Sequence, residues 1–229
     1  MKLSLRGKIA LASFVLFDLF LAAYLFNLYG VSKQRDEIAT LREIGVSIYP
    51  DQRKLSDFSL VDQNGAAFSN ANLDGRWSLI FFGFTSCPDI CPLTMTELEQ
   101  FYRSLEASER QDLSIILVSV DPTRDGPAEM DEYIKKYHED FFGLTGDFEV
   151  ISALADDLFV VHELAGSEGD EGHGHTDHTE QLPPEGKDYL INHSGHISVI
   201  NPEGTRFAVM RPPHRDGDIM TAFRSIKNF

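Results

Sequence analysis

The stretch WSLIFFGFTSCPDICP, residues 77–92, decides the fold. Its first half, Trp77 to Phe84, is a continuous apolar run with the length of a strand buried on both faces. Its second half carries the only two cysteines of the chain, Cys87 and Cys91, directly after that strand. Pro92 comes next, where a proline fits the first turn of a helix without losing a needed N–H. From Pro92 to Leu105 the pattern is helical: Leu98, Phe101, Tyr102 and Leu105 share one face, with Glu97 and Glu99 outside it. The two cysteines are therefore expected at a strand-to-helix turn.

Downstream, Leu113 to Val120 is a second apolar, β-branched run. Ala128 to Tyr137 reads as a helix with Pro127 at its start, and Phe148 to Phe159 as another. His196 to Ile200 alternates as a strand, Pro202-Glu203-Gly204 turns, Arg206 to Met210 returns, and Asp216 to Ile226 closes the pattern as a helix. Upstream, Asp57 to Val61 alternates, Asn64-Gly65 is a turn signal, and Ala67-Phe68 resumes, which predicts a hairpin. Strand, helix, strand, then helices and a terminal hairpin is an α/β order of the thioredoxin-like kind.

The N-terminus is different material. Ile9 to Tyr29 is interrupted only by Ser13, Asp18 and Asn27, long enough to cross a hydrocarbon core of ~30 Å as a helix. Each Leu, Ile, Phe or Val there contributes about 0.3–0.6 kcal/mol to insertion, against about 3 kcal/mol for Asp18. The run ends in Tyr24, Leu25, Phe26, Asn27, Leu28 and Tyr29, poor chemistry for signal cleavage, so an uncleaved anchor is expected. Lys2, Arg6 and Lys8 precede it and Lys33, Arg35 and Arg42 follow. This near balance favours a short inner tail and an exported domain only through the closeness of the first group.

The expected organisation is an anchor at 1–29, a polar stalk at 30–54 that is helical around Asp36 to Glu43, and a folded domain at 55–229. Within the domain, residues 166–180 are glycine-rich, acidic and without a hydrophobic residue, which predicts a mobile insertion. It holds His173, His175 and His178, candidate auxiliary ligands for Cu(II) or Zn(II), although a solvated acidic loop has the same composition. A net charge of −16 argues against sequence-independent nucleic-acid binding.

A helix N-terminus favours thiolate over thiol, and thiolate is both the exchange nucleophile and the ligand of soft ions such as Cu(I). Cys87 and Cys91 therefore suit a metal site, a thiol–disulfide exchange site or a structural disulfide. A third ligand distinguishes the first. His193, in Tyr189-Leu-Ile-Asn-His-Ser194 just before the strand at His196, is the best candidate, because in a thioredoxin-like topology that loop faces the cysteine turn. Asp121 suits either support of the site or initiation of a turn before Pro122. A peroxidase usually has Thr three residues before its cysteine, where this chain has Phe84.

Three blocks, Gly83-Phe-Thr-Ser-Cys-Pro-Asp-Ile-Cys-Pro-Leu-Thr94, Ser119-Val-Asp-Pro-Thr-Arg-Asp125 and Tyr189-Leu-Ile-Asn-His-Ser194, occur in the order found in the Sco/SenC copper chaperones, which the chain resembles from about Leu55 onward. The resemblance implies a thioredoxin-like domain on an N-terminal membrane helix, and copper bound by Cys87, Cys91 and His193. It implies a metallochaperone rather than an enzyme, with cytochrome c oxidase subunit II as the copper-accepting membrane partner. The chain would sit in the inner membrane as a single-pass protein with its C-terminal domain on the periplasmic side. The alternative is a thiol–disulfide oxidoreductase that reduces the partner's cysteines, which needs Cys87 and Cys91 but not His193. The histidine-rich insertion departs from the family pattern.

Overall fold

The computed structural model describes residues 5–164, 191–215, 217–227 and 229. The chain divides into two compact units, Met1–Glu43 and Ile44–Phe229. The first is one helix, α1 (Leu5–Glu43), whose 39 residues extend about 58 Å. That is well beyond a ~30 Å hydrocarbon core. The segment Ser13–Glu43 is long and apolar enough to cross a membrane by length and composition. The helix continues through most of the polar stretch read from sequence as a partly helical stalk. No proline interrupts it, and Lys33 pairs with Glu37 one turn on, at 3.7 Å.

The second unit is built on β1 (Val46–Ile48), β2 (Ser59–Asp62), β3 (Ala67–Ser69), β4 (Trp77–Gly83), α2 (Ile90–Ser104), α3 (Ala107–Gln111), β5 (Leu113–Ser119), α4 (Pro127–Ile134), β6 (Phe142–Thr145), α5 (Phe148–Asp157), β7 (His162–Leu164), β8 (Ile191–His193), β9 (Ile197–Ile200), β10 (Arg206–Met210) and α6 (Asp218–Ile226). Among the described residues, eight strands form one sheet in the order β1-β10-β9-β4-β5-β6-β2-β3, and β7 and β8 form a separate ladder. The centre is parallel, β4 to β5 to β6, and both flanks are antiparallel. This is the thioredoxin-like α/β arrangement expected from the apolar runs. Val46–Ile48 lies in the stretch read as linker, yet pairs with β10; a three-residue strand is too short to leave a periodic signature.

The central strands read as unbroken apolar runs because both of their faces are covered. Ile80, Phe82 and Phe84 pack with Ile151, Leu154 and Ala155 of α5 on one face. On the other, Phe101 of α2 meets Phe223 of α6 edge-on at 5.4 Å, and Trp77 meets Phe223 at 6.4 Å. Burying an aromatic side chain of this kind contributes about 1.5–3 kcal/mol.

The register of the two central strands fixes where their loops emerge. β4 and β5 pair residue for residue from Trp77↔Leu113 to Gly83↔Ser119, so the two strands end flush. The loops that leave them start side by side, and Val120 N–H donates to the Gly83 carbonyl at 2.8 Å to close the pair.

Phe82 is fully buried in this central strand. Phe82→Ala should therefore lower unfolding stability by about 3–5 kcal/mol in chemical denaturation. A loss below about 1 kcal/mol would contradict the packing described.

Candidate metal centre

The cysteine loop leaves the flush end of β4. Cys87 N–H donates to the Phe84 carbonyl at 3.2 Å, which turns the chain back on itself, and α2 begins at Ile90. Cys91 is thus in the first turn of α2 and Pro92 directly after it, in the arrangement expected from sequence. Cys91 is completely buried and Cys87 partly so. Gly83 makes the room: a Cβ built there would stand 2.9 Å from the Cys91 sulfur, 3.1 Å from Phe81 and 3.2 Å from Leu117. Any larger residue at position 83 would push that sulfur out of its pocket.

Both cysteines carry thiols, and their side chains hydrogen-bond to each other. That bond and burial together drive the Cys91 pKa well above the ordinary thiol range, against a lowering contribution from the Phe84 backbone. The helix N-terminus, expected to favour thiolate, is outweighed at this sulfur by its neighbour and by loss of water. Cys91 retains its proton until something replaces it. A soft cation held by both sulfurs does that, releasing protons as it binds. The Tyr133 ring system of α4 also lies within electrostatic reach of both sulfurs, and burial raises the Tyr133 pKa.

Beneath the cysteine loop is a polar knot that joins it to the loop after β5. Asp125, fully buried, accepts from Thr85 N–H at 2.9 Å, from the Thr85 hydroxyl at 2.5 Å and from the Ser119 hydroxyl at 2.6 Å. Burial raises its pKa in opposition to those three bonds. Asp121, also fully buried, is paired with the Arg124 guanidinium, and its carbonyl accepts from Arg124 and Asp125 N–H at 3.1 and 2.9 Å. The Arg124 guanidinium lies over the Phe84 ring at 5.6 Å. Asp121 thus builds the turn and holds the cation that covers Phe84. Gly83, Ser119, Arg124 and Asp125 stand in the sequence blocks that carry the family resemblance, but no role was read for them individually. Their roles follow from the flush ending of two adjacent strands, which the pairing register reveals.

The backbone places His193 at the end of β8, across from His162 in β7. Ser194 N–H donates to the Val161 carbonyl at 2.8 Å. Gly195 then lies against α2, with a Cβ position 3.2 Å from Ile90 Cγ1, the residue before Cys91. The segment that follows His193 therefore abuts the first turn of the cysteine helix. His196 is buried with its ring 3.3 Å from the Leu158 carbonyl, a packing histidine. His214, in the loop after β10, is hydrogen-bonded to the Gly195 backbone, and burial lowers its pKa. His173, His175 and His178 lie outside the described residues. Among the described side chains, no three His, Cys, Asp or Glu converge as a ligand cluster.

The chain is similar to known proteins in both sequence and fold. A sequence profile of the SCO1/SenC family matches residues 47–228. A protein of Stutzerimonas stutzeri named as copper-binding is 36% identical over 178 residues, covering 78% of this chain and 79% of its own. An SCO2-like protein of Rickettsia felis is 38% identical over 160 residues, covering 69% of this chain and 70% of its own. The copper-bound structure of Bradyrhizobium japonicum ScoI matches with a TM-score of 0.61 at 28% identity, covering 77% of this chain and 100% of that one.

The buried, hydrogen-bonded Cys91 should alkylate slowly at neutral pH, its rate still climbing above pH 9 without a plateau, as followed by mass spectrometry of the labelled peptide. A plateau below pH 8 would show a stabilised thiolate and contradict the electrostatics above. Gly83→Ala should slow disulfide formation between Cys87 and Cys91 by about tenfold or more, because the displaced sulfur no longer meets its neighbour. An unchanged rate would place the Cys91 sulfur elsewhere.

Proposed function

The chain belongs to the SCO1/SenC family, and from that premise we propose that it is a membrane-tethered copper metallochaperone whose cargo is held by Cys87, Cys91 and His193. The observation that carries the reading is the pair of thiols in mutual hydrogen bond at the first turn of α2. Two sulfurs already in contact, one buried and one partly exposed, are a preformed chelate for a soft monovalent copper ion. Copper is cargo here: it arrives, is held, and leaves by ligand exchange, so the protein turns over no substrate.

Each ligand has a distinct task in this scheme. Cys91, completely buried in the space over Gly83, is the fixed donor, and the partly exposed Cys87 is the one an incoming partner ligand can displace. His193 supplies an imidazole, which completes a three-ligand set and widens the tolerated oxidation states to Cu(II). Leu93, exposed beside Pro92, offers a partner an apolar contact next to the site. The client, by family resemblance, is cytochrome c oxidase subunit II, whose dinuclear copper centre must be loaded. Helix α1 keeps the carrier at the membrane where that client resides. Its placement in an inner membrane, with Ile44–Phe229 on the periplasmic side, follows the near-balanced basic residues only through their proximity to the span.

A second reading rests on the same thiol contact. Cys87 and Cys91 can pass two electrons to a partner's disulfide, becoming a disulfide themselves and leaving the partner's cysteines reduced to accept metal. His193 is not needed for that reaction.

Anaerobic Cu(I) titration of the reduced protein against a competing chelator separates the two. One tight copper per chain, weakened by about tenfold or more in His193→Ala and abolished in Cys91→Ala, is expected for the carrier. Equal affinity in wild type and His193→Ala would remove the third ligand and leave the reductase reading.

A further inference from the structure

Asp125 is outside the proposed ligand set, yet it is the most heavily bonded carboxylate beside it. A fully buried carboxylate is unfavourable unless its oxygens are paired, and here each one is. One oxygen takes both the Thr85 N–H and the Ser119 hydroxyl, at 2.9 and 2.6 Å, and the other takes the Thr85 hydroxyl at 2.5 Å. Its own N–H is fixed by the Asp121 carbonyl at 2.9 Å. These partners belong to different segments. Ser119 ends β5, whereas Thr85 opens the loop that carries Cys87.

The two sulfurs are positioned by different means. Cys91 is set by α2 and by the space over Gly83. Cys87 rides on the loop between Thr85 and Asp89, anchored by its N–H on the Phe84 carbonyl at 3.2 Å and, two residues earlier, by Thr85 on Asp125. We propose that Asp125 is a positioning residue for the dithiol: by clamping Thr85 to the end of β5 it sets where the Cys87 loop begins, and so the distance between the Cys87 and Cys91 sulfurs. The inference rests on Cys87 and Cys91 being the working pair.

The bonding pattern makes a conservative rescue available. Asparagine can keep its carbonyl oxygen towards Thr85 N–H and the Ser119 hydroxyl and turn its NH2 to the Thr85 hydroxyl, which then accepts. The clamp survives without the charge. Alanine removes all three bonds, and Thr85→Val removes only the hydroxyl one.

The test uses the full chain in detergent with two readouts. The first is Cu(I) affinity against a competing chelator. The second is the equilibrium constant for closing the Cys87–Cys91 disulfide with glutathione disulfide, in which one glutathione disulfide takes two electrons and leaves as two glutathione thiols with the two protons. Asp125→Ala should lower both constants by about tenfold or more, the scale of losing hydrogen bonds to an ionised group. Thr85→Val should lower both by about threefold, and Asp125→Asn should stay within about twofold of wild type, all at temperatures below each variant's melting point. No change in either constant for Asp125→Ala overturns the proposal, as does Asp125→Asn falling as far as alanine. If wild type binds no Cu(I) but the disulfide constants keep this order, the copper reading falls and the clamp stands. If Asp125→Ala does not fold, Thr85→Val decides, and wild-type values for it in both readouts overturn the clamp.

Discussion

Residue-for-residue pairing of β4 with β5, ending together at Gly83 and Ser119, is the constraint on which the whole site depends. Had one strand run a residue longer, the side chains of its end would face the opposite side of the sheet, and the two loops would leave at different heights. Because they end flush, a single carboxylate, Asp125, can bond to both, and the Asp121–Arg124 pair can cover Phe84 from the side. The sheet carries this demand easily, since both of its central strands are buried on two faces and held by aromatic packing. Strong core packing thus underwrites a polar, tightly filled corner at its edge, where one glycine has a sulfur in place of a Cβ.

That corner sets up a competition between two fields. A helix N-terminus lowers a thiol pKa, whereas burial and a neighbouring thiol raise it. At Cys91 the second pair of effects wins, so this sulfur rests as a hydrogen-bonded thiol rather than a reactive thiolate. A site of this kind resists casual oxidation and alkylation at its inner sulfur while remaining open to a soft cation that bonds to both. Cys87, partly exposed, is the more accessible of the two sulfurs. Carrier and reductase chemistry share this geometry and differ in whether an imidazole joins it.

Much of this was legible in the sequence, and the reasons are specific. The apolar runs at Trp77 and Leu113 exceed what a half-exposed strand needs, and Pro92 after Cys91 marks a helix start, so the position of the cysteine pair could be read directly. The long helix was half-read, because a polar segment without proline has no signal that forces it to stop. Val46–Ile48, Phe142–Thr145 and the β7–β8 ladder were missed, since strands of three or four residues draw their stability from partners distant in sequence. Asp125 was visible as a residue but not as a clamp. Its role depends on the register of two strands, which side-chain pattern alone does not fix.

The central claim, that Cys87, Cys91 and His193 form one copper site, is tested most directly by X-ray absorption spectroscopy of the Cu(I)-loaded protein. The account predicts a copper shell of two sulfurs and one imidazole nitrogen in wild type, reduced to the two sulfurs alone in His193→Ala. A shell without sulfur, or one whose imidazole contribution is the same in His193→Ala, would contradict it.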